Sequence, residues 1–268
     1  VDPADCERSW EKLEPLLATL AKPGIRLRRT NVETGTKFGG QPRVESSAFE
    51  WPRVNGKPMS FLAQLNLSEL SAAHNFSWLP LKGSLLFFFD KENAPSDTVD
   101  GGYEKDWKIL YVEDPKVFAE FPEDLGEQDR LEENFLLGAE EHILPGFERP
   151  CVLALELGDM ESDELESQRD PEGLKAHQIG GYPIAVQSDR MEGECDRIYR
   201  GISKYRFSDQ KGDDSPSTEE DWRLLLQVDS DEDCDFMWGD VGRLYFFVRE
   251  QDAIEGNFDD VVMLTQCH

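Results

Sequence analysis

Apolar residues along this chain fall in short runs broken by Pro, Gly and acid-rich segments, and the runs repeat. TKFGGQP (36–42), FLAQLNL (61–67) and KGSLLFFFD (82–90) return in the same order as HQIGGYP (177–183), LLLQVDS (224–230) and VGRLYFFVR (241–249). Three ordered matches, each a Gly-Gly-x-Pro turn or an apolar run around a Gln or a Gly-x-Leu, predict an internally duplicated domain whose halves each supply strands to one core. The first copy separates Gly40 from Gln64 by 24 residues and the second separates Gly181 from Gln227 by 46. The extra length, DRMEGECDRIYRGISKYRFSDQKGDDSPSTEED, is polar, and part of it is expected to be an exposed, mobile loop.

Periodicity assigns the elements. SWEKLEPLLATLAK (9–22) reads as an amphipathic helix with Ser9 as N-cap and Pro23-Gly24 as stop. IRLRRTNV (25–32) alternates with period two, a strand with Arg26, Arg28 and Thr30 on one face. FLAQLNL, KGSLLFFFD and DWKILYVED read as strands, and NLSELSAAHNF as a short helix capped at Ser68 or Asn66. Residues 116–142 read as acidic helix and loop, RPCVLALELG (149–158) fits a strand or a helix, and 159–176 reads as a solvated helix and loop. The expected fold class is α+β, an internally duplicated, largely antiparallel β core with peripheral helices. Residues 1–30 form an N-terminal helix and strand in this reading, and 31–268 the duplicated domain, with halves of about 31–148 and 149–268.

Charge changes the picture next. The 268 residues carry 56 acids against 28 Lys and Arg, a net charge of −28, yet 16 Phe, 6 Trp and 6 Tyr suffice for a globular core. Such a field repels phosphate backbones and anionic headgroups, so direct nucleic-acid and membrane binding are disfavoured, while basic proteins are attracted. Residues 1–60 are net +2, and the acids concentrate in 113–142 (11 acids, 2 bases), 156–172 (8 and 1) and 209–240 (12 and 2). These blocks are solvated faces or one surface for a basic partner. No window approaches the ~18 consecutive apolar residues of a membrane helix, and VDPADCERSWEKL lacks the basic and apolar regions of a signal peptide. Five scattered cysteines (Cys6, Cys151, Cys195, Cys234, Cys267) suggest free thiols and a cytoplasmic setting.

The order GGQP, EWPRVNGKPMSFLAQLNL, LPLKGSLLFFFD, LLLQVDSD, FMWGDVGRLYFFVREQD and FDDVVMLTQCH resembles the YwqG-like family of bacterial proteins of unknown function over roughly 31–268. Trp238 through Phe247 is the most specific part. That family is more distantly similar to eukaryotic ribosome-assembly chaperones of the programmed cell death protein type, which hold a basic ribosomal protein. The resemblance implies an α+β fold with a duplicated antiparallel core and no enzymatic activity. The chaperones carry paired cysteines just before the strand that FLAQLNL matches; Arg53, Val54, Asn55 and Gly56 stand there instead, so that zinc knuckle is missing.

The chemistry search is short. No Gly-x-Ser-x-Gly, Gly-x4-Gly-Lys-Ser/Thr or His-Glu-x2-His occurs, and His74, His142, His177 and His268 show no metal-ligand spacing with the cysteines. The loop DSDEDCDFMWGD puts Asp229, Asp231 and Asp233 at calcium-loop positions, but Cys234 replaces the required Gly and Asp240 the final Glu. No catalytic residue, metal or cofactor is therefore assigned. Gly39, Gly40, Gly180 and Gly181 are expected at positive φ, and Gln64 and Gln227 as buried amides that satisfy the core. Trp238 either caps the core or stands as an aromatic anchor beside an acidic patch. The function read from these features is an acidic binding module that captures a basic protein (ribosomal, nucleic-acid-binding or a toxin domain), chaperone-like or immunity-type. Its partner-binding residues are Asp229, Asp231, Asp233, Asp235, Trp238 and Asp240. The alternative is an enzyme of unknown reaction with a carboxylate site at the junction of the halves.

Overall fold

The computed structural model describes residues 10–92, 106–171, 174–200 and 219–268. Ser9 and residues 201–218 of the polar insertion lie outside them. The first copy contains α1 (Trp10–Ala18), β1 (Lys22–Arg29), β2 (Lys37–Phe38), β3 (Arg43–Val44), β4 (Arg53–Val54), β5 (Lys57–Pro58), β6 (Ser60–Asn66), α2 (Leu67–Ala73), β7 (Ser84–Phe89), β8 (Trp107–Val112) and β9 (Val117–Phe118). The second contains β10 (Asn134–Ile143), α3 (Pro150–Leu153), α4 (Asp159–Arg169), β11 (Gln178–Gly180), α5 (Met191–Tyr199), β12 (Trp222–Asp229), β13 (Arg243–Arg249), α6 (Glu250–Ile254) and β14 (Val262–Gln266).

Ten of these strands make one antiparallel sheet in the order β14-β13-β12-β11-β1-β10-β2-β6-β7-β8. From its centre outwards the order is a palindrome of equivalent strands, as a duplication with a pseudo-twofold between β1 and β10 requires. The leading strands are exchanged: β1 pairs with β11 of the second copy, and β10 with β2 of the first. Both Gln-bearing strands carry a bulge at the same place, between Phe61 and Ala63 and between Leu224 and Leu226. The sheet curls until its edges approach, with Trp107 Nε1 on β8 donating to Val261 O beside β14 at 2.9 Å, so the whole is nearly a barrel.

Alternation along the strands divides the core. Leu85, Phe87 and Phe89 of β7 face the inside with Leu244, Phe246 and Val248 of β13, in one cluster that also takes Ile25, Leu27, Phe38 and Ile179. Phe87 and Phe246 hold the same place in the two copies and meet edge to face, ring centroids 5.1 Å apart. The opposite faces bury separately, Leu86 and Phe88 under Trp51 and Leu125, and Tyr245 and Phe247 under Met191 and Trp222.

Two expectations change. Residues 116–142, read as helix and loop, hold β9 and most of the ten-residue β10, the strand at the sheet's centre. Its acids fall on both faces, Glu140 in line with Leu136 and Gly138 and paired with His74 at 3.2 Å, Glu141 opposite and bonded to Arg26 at 3.3 Å, and together they hide the alternation. The span 149–158 resolves as the short helix α3, with Pro150 at its first turn. The solvated helix expected over 159–176 is α4, but it is also bolted down. Arg169, 3 % exposed, donates to Leu144 O (3.1 Å) and Pro183 O (2.8 Å).

The repeated turns explain the repeated glutamines. Gly39 and Gly40 have φ of +58° and +69°, Gly180 and Gly181 +64° and +69°, conformations open to Gly at no cost. The chain leaves each turn with a buried or half-buried amide, and the Gln of the same copy meets it. Gln64 Oε1 accepts from Arg43 N at 2.8 Å and Gln227 Oε1 from Ile184 N at 2.9 Å. Each Gln thus locks its own turn to its own strand. A side chain at Gly181 would stand 2.6 Å from Ile143 Cγ1, whereas one at Gly40 meets the movable end of Glu133 at 2.5 Å. Gly181→Val is therefore expected to cost at least as much as Gly40→Val, each roughly 1–3 kcal/mol in urea denaturation. Wild-type stability in both variants would remove backbone conformation as the reason for these glycines.

Candidate functional site

The segment from the end of β12 to the start of β13 contains every residue that the sequence marked for partner binding. It is held as a compact loop by backbone bonds. Asp231 and Phe236 exchange N–H···O bonds of 2.9 Å, Gly242 N donates to Trp238 O at 2.8 Å, and His268 N donates to Asp240 O at 3.0 Å. Ser230 ties the middle, its Oγ accepting from Trp238 N (3.0 Å) and donating to Gly242 O (2.8 Å).

The loop sorts its side chains by alternation. Asp229, Asp231, Cys234, Phe236 and Trp238 turn inward, and Glu232, Asp233, Asp235, Met237, Asp240 and Val241 turn outward. Trp238 is 9 % exposed, packs edge to face on Phe89 with centroids 5.7 Å apart, and donates Nε1 to Asp229 O at 3.0 Å. The indole therefore caps the core, and the reading of Trp238 as a surface anchor is corrected. The large apolar ring and its single donor are both satisfied inside.

Asp229 and Asp231 are scaffold as well. Asp229 Oδ2 accepts from Ala176 N at 2.9 Å and Oδ1 from Arg243 Nε at 2.9 Å. Burial opposes the charge on Arg243, but Asp229 and Asp170 outweigh it and raise its pKa. Asp229 N donates to His177 Nδ1 at 3.0 Å, so that nitrogen carries no proton, and the Nε2–H faces Asp231 Oδ2 at 3.2 Å. The His177 hydrogen bond, against the penalty of burial, holds the Asp231 carboxyl down to about 2.

The outer side is what a partner would meet. Glu232, Asp233, Asp235 and Asp240 are exposed on the same loop as Met237 (56 % exposed) and Val241 (53 % exposed). Asp233 also pairs with Arg29 of β1 at 2.9 Å. Two non-glycine residues of this loop have left-handed backbones, Asp235 at φ +56° and the β-branched Val241 at +49°. A β-branched residue there is strained by roughly 1–3 kcal/mol, and the bonds on either side of it impose that conformation. Met237 and Val241 were missed in the sequence, although Met237 lies between two apolar aromatics and alternation alone sends it outward.

Trp238→Ala is expected to destabilise the fold by about 3–5 kcal/mol, as loss of a large core side chain does, while Met237→Ala stays within about 0.5 kcal/mol. Thermal melts of the two variants test this. Equal melting temperatures would place Trp238 outside the core. Asp231 gives a pH signature. Its folded pKa lies below the ordinary carboxylate value, so the stabilisation is complete above about pH 4 and fades as pH falls towards 2. Asp231→Ala should be less stable than wild type at pH 7, and the gap should narrow below pH 4; a gap constant from pH 7 to 2.5 would contradict the assignment.

Comparison with known proteins adds one finding. A search of curated proteins gives no match. Residues 36–267 match a family described as "Domain of unknown function (DUF1963)", a span that begins after β1, at the first Gly-Gly turn, and runs to the last strand, taking in the repeated signatures of both copies and the acidic loop. The chain belongs to that family.

Proposed function

We propose that the protein acts by binding, capturing a basic protein partner on its acidic exterior. The observation that carries this reading is the loop between β12 and β13, a strained and internally bonded platform that exposes four carboxylates together with Met237 and Val241. Exposed carboxylates steer a cationic partner over a Debye length, and an exposed methionine supplies adaptable apolar contact at the end of that approach. The resemblance to the YwqG-like family, and through it to chaperones that hold a basic ribosomal protein, agrees with this reading. So does an immunity-type role against a basic toxin domain. A cytoplasmic setting fits the four described cysteines, all free, and no helix among the described residues is long and apolar enough to cross a membrane.

The buried carboxylates play no direct part, so the test uses the outward ones. In affinity capture from lysate, wild-type protein is expected to enrich polypeptides of high pI in a salt-sensitive manner. Asp233→Lys, Asp235→Lys and Asp240→Lys together should abolish that enrichment with the circular dichroism unchanged. With an isolated partner, charge reversal should act mainly on the association rate and Met237→Ala on the dissociation rate. Identical capture by wild type and the triple variant would reduce the acidity to a solubility device.

A further inference from the structure

In a chain of net charge −28 a cleft of about 700 Å³ is lined by four cations. Lys22 comes from the start of β1, Arg149 from the N-cap of α3, Arg190 from the N-cap of α5, and Arg223 from β12, with the second Gly-Gly turn leaving one wall free of side chains. These residues are distant in sequence, so only the fold gathers them. Two carboxylates, Glu192 and Glu220, share the cleft.

Internal pairing leaves the cations in excess. Glu192 accepts from Arg149 Nη1 at 2.9 Å, while Arg149 Nε and Nη2 find no partner among the described residues. Arg223 pairs with Glu250 and donates to Glu220 O at 2.6 Å. Among the described residues neither Lys22 nor Arg190 makes an ion pair. Lys22 and Arg149 both lie against the Tyr182 ring, 4.4 and 5.3 Å from its centroid. Burial is the main cause that lowers the Lys22 pKa, opposed by Glu192, with Arg149 and Arg223 adding smaller contributions in the same direction as burial. The first turn of α5, a nine-residue helix without a side-chain cap, also lines the cleft through Glu192 and Gly193 and adds its dipole.

We infer that this cleft is a binding site for a small molecule carrying clustered phosphate groups, with Lys22 and Arg190 as its accessible contacts and Arg149 and Arg223 setting the field. With Arg149 held by Glu192 and Arg223 by Glu250, Lys22 and Arg190 remain as two cations without an ion pair among the described residues, and guanidinium forks match phosphate oxygens. The volume suits a ligand larger than a single phosphate. The repulsion that the acidic exterior exerts on polyanions such as nucleic acid limits the site to small ligands that enter the cleft. This site is independent of the acidic loop, so capture of a basic partner and anion binding fail separately.

Calorimetric titration of the full chain at low salt tests it, with inorganic phosphate, pyrophosphate and citrate as probes. Pyrophosphate is expected to bind about tenfold or more tightly than phosphate and than citrate, with affinity falling as salt rises. Lys22→Ala with Arg190→Ala, both at accessible positions without internal ion pairs, should weaken pyrophosphate about tenfold or more at unchanged melting temperature. Glu192→Gln should strengthen it severalfold by releasing Arg149, the opposite sign to that expected of mere damage. No measurable pyrophosphate binding, unchanged affinity in the double variant, or citrate binding as tight as pyrophosphate would each overturn the assignment.

Discussion

The pairing of β1 with β10 is the interaction on which the rest depends. Eight residue pairs from Lys22↔Ile143 to Arg29↔Leu136 join two five-strand half-sheets into one, and the pseudo-twofold passes between them. Without it each half would end in an open edge, and the inner face shared by Phe87 and Phe246 would have no second wall. The acidic loop hangs on the same seam through Arg29, and the cationic cleft opens at its other end, where Lys22 starts β1.

Duplication fixed the frame, and small substitutions at equivalent places made the halves different. At matching positions the first copy has Thr36, Asn66 and Ser84, and the second has His177, Asp229 and Arg243. In the first copy Asn66 caps α2, accepting from Ser68 N at 3.0 Å, and Glu69 holds Thr36. In the second, His177, Asp229 and Arg243 form a buried network closed by Asp170 and Asp231. A neutral polar set met by a helix terminus has become a charged set that must be fully paired to be buried at all. That network supports the outward loop, so the copy with the costlier interior is the one that displays the candidate surface.

Much of this was legible in the sequence, and the rest was hidden for identifiable reasons. The Gly-Gly turns, both Gln-bearing strands and both Gly-x-Leu strands are local patterns of sterics and alternation, and they stand where the repeats put them. β10 was hidden because Glu141 stands on its outer side and its inner side runs from Leu136 to Gly138, where a side chain would meet Ile25 Cγ2 at 2.7 Å, and then to Glu140. Asp229 and Asp231 looked like surface charge because composition does not say which carboxylates find Arg243 or His177 across the fold. The cleft cations were invisible for a related reason: Lys22, Arg149, Arg190 and Arg223 share no local motif.

The exchange of leading strands bears on how the chain is made. During synthesis β1 emerges before every other strand of the sheet, with Ile25 and Leu27 prepared for an interior that does not yet exist. The first copy from β2 to β8 follows it out of the ribosome, yet none of those strands is a partner of β1. Its two neighbours, β10 and β11, arrive more than a hundred residues later. The opening strand is thus translated early and satisfied late, and through that interval an apolar edge has to be kept from pairing with the wrong chain.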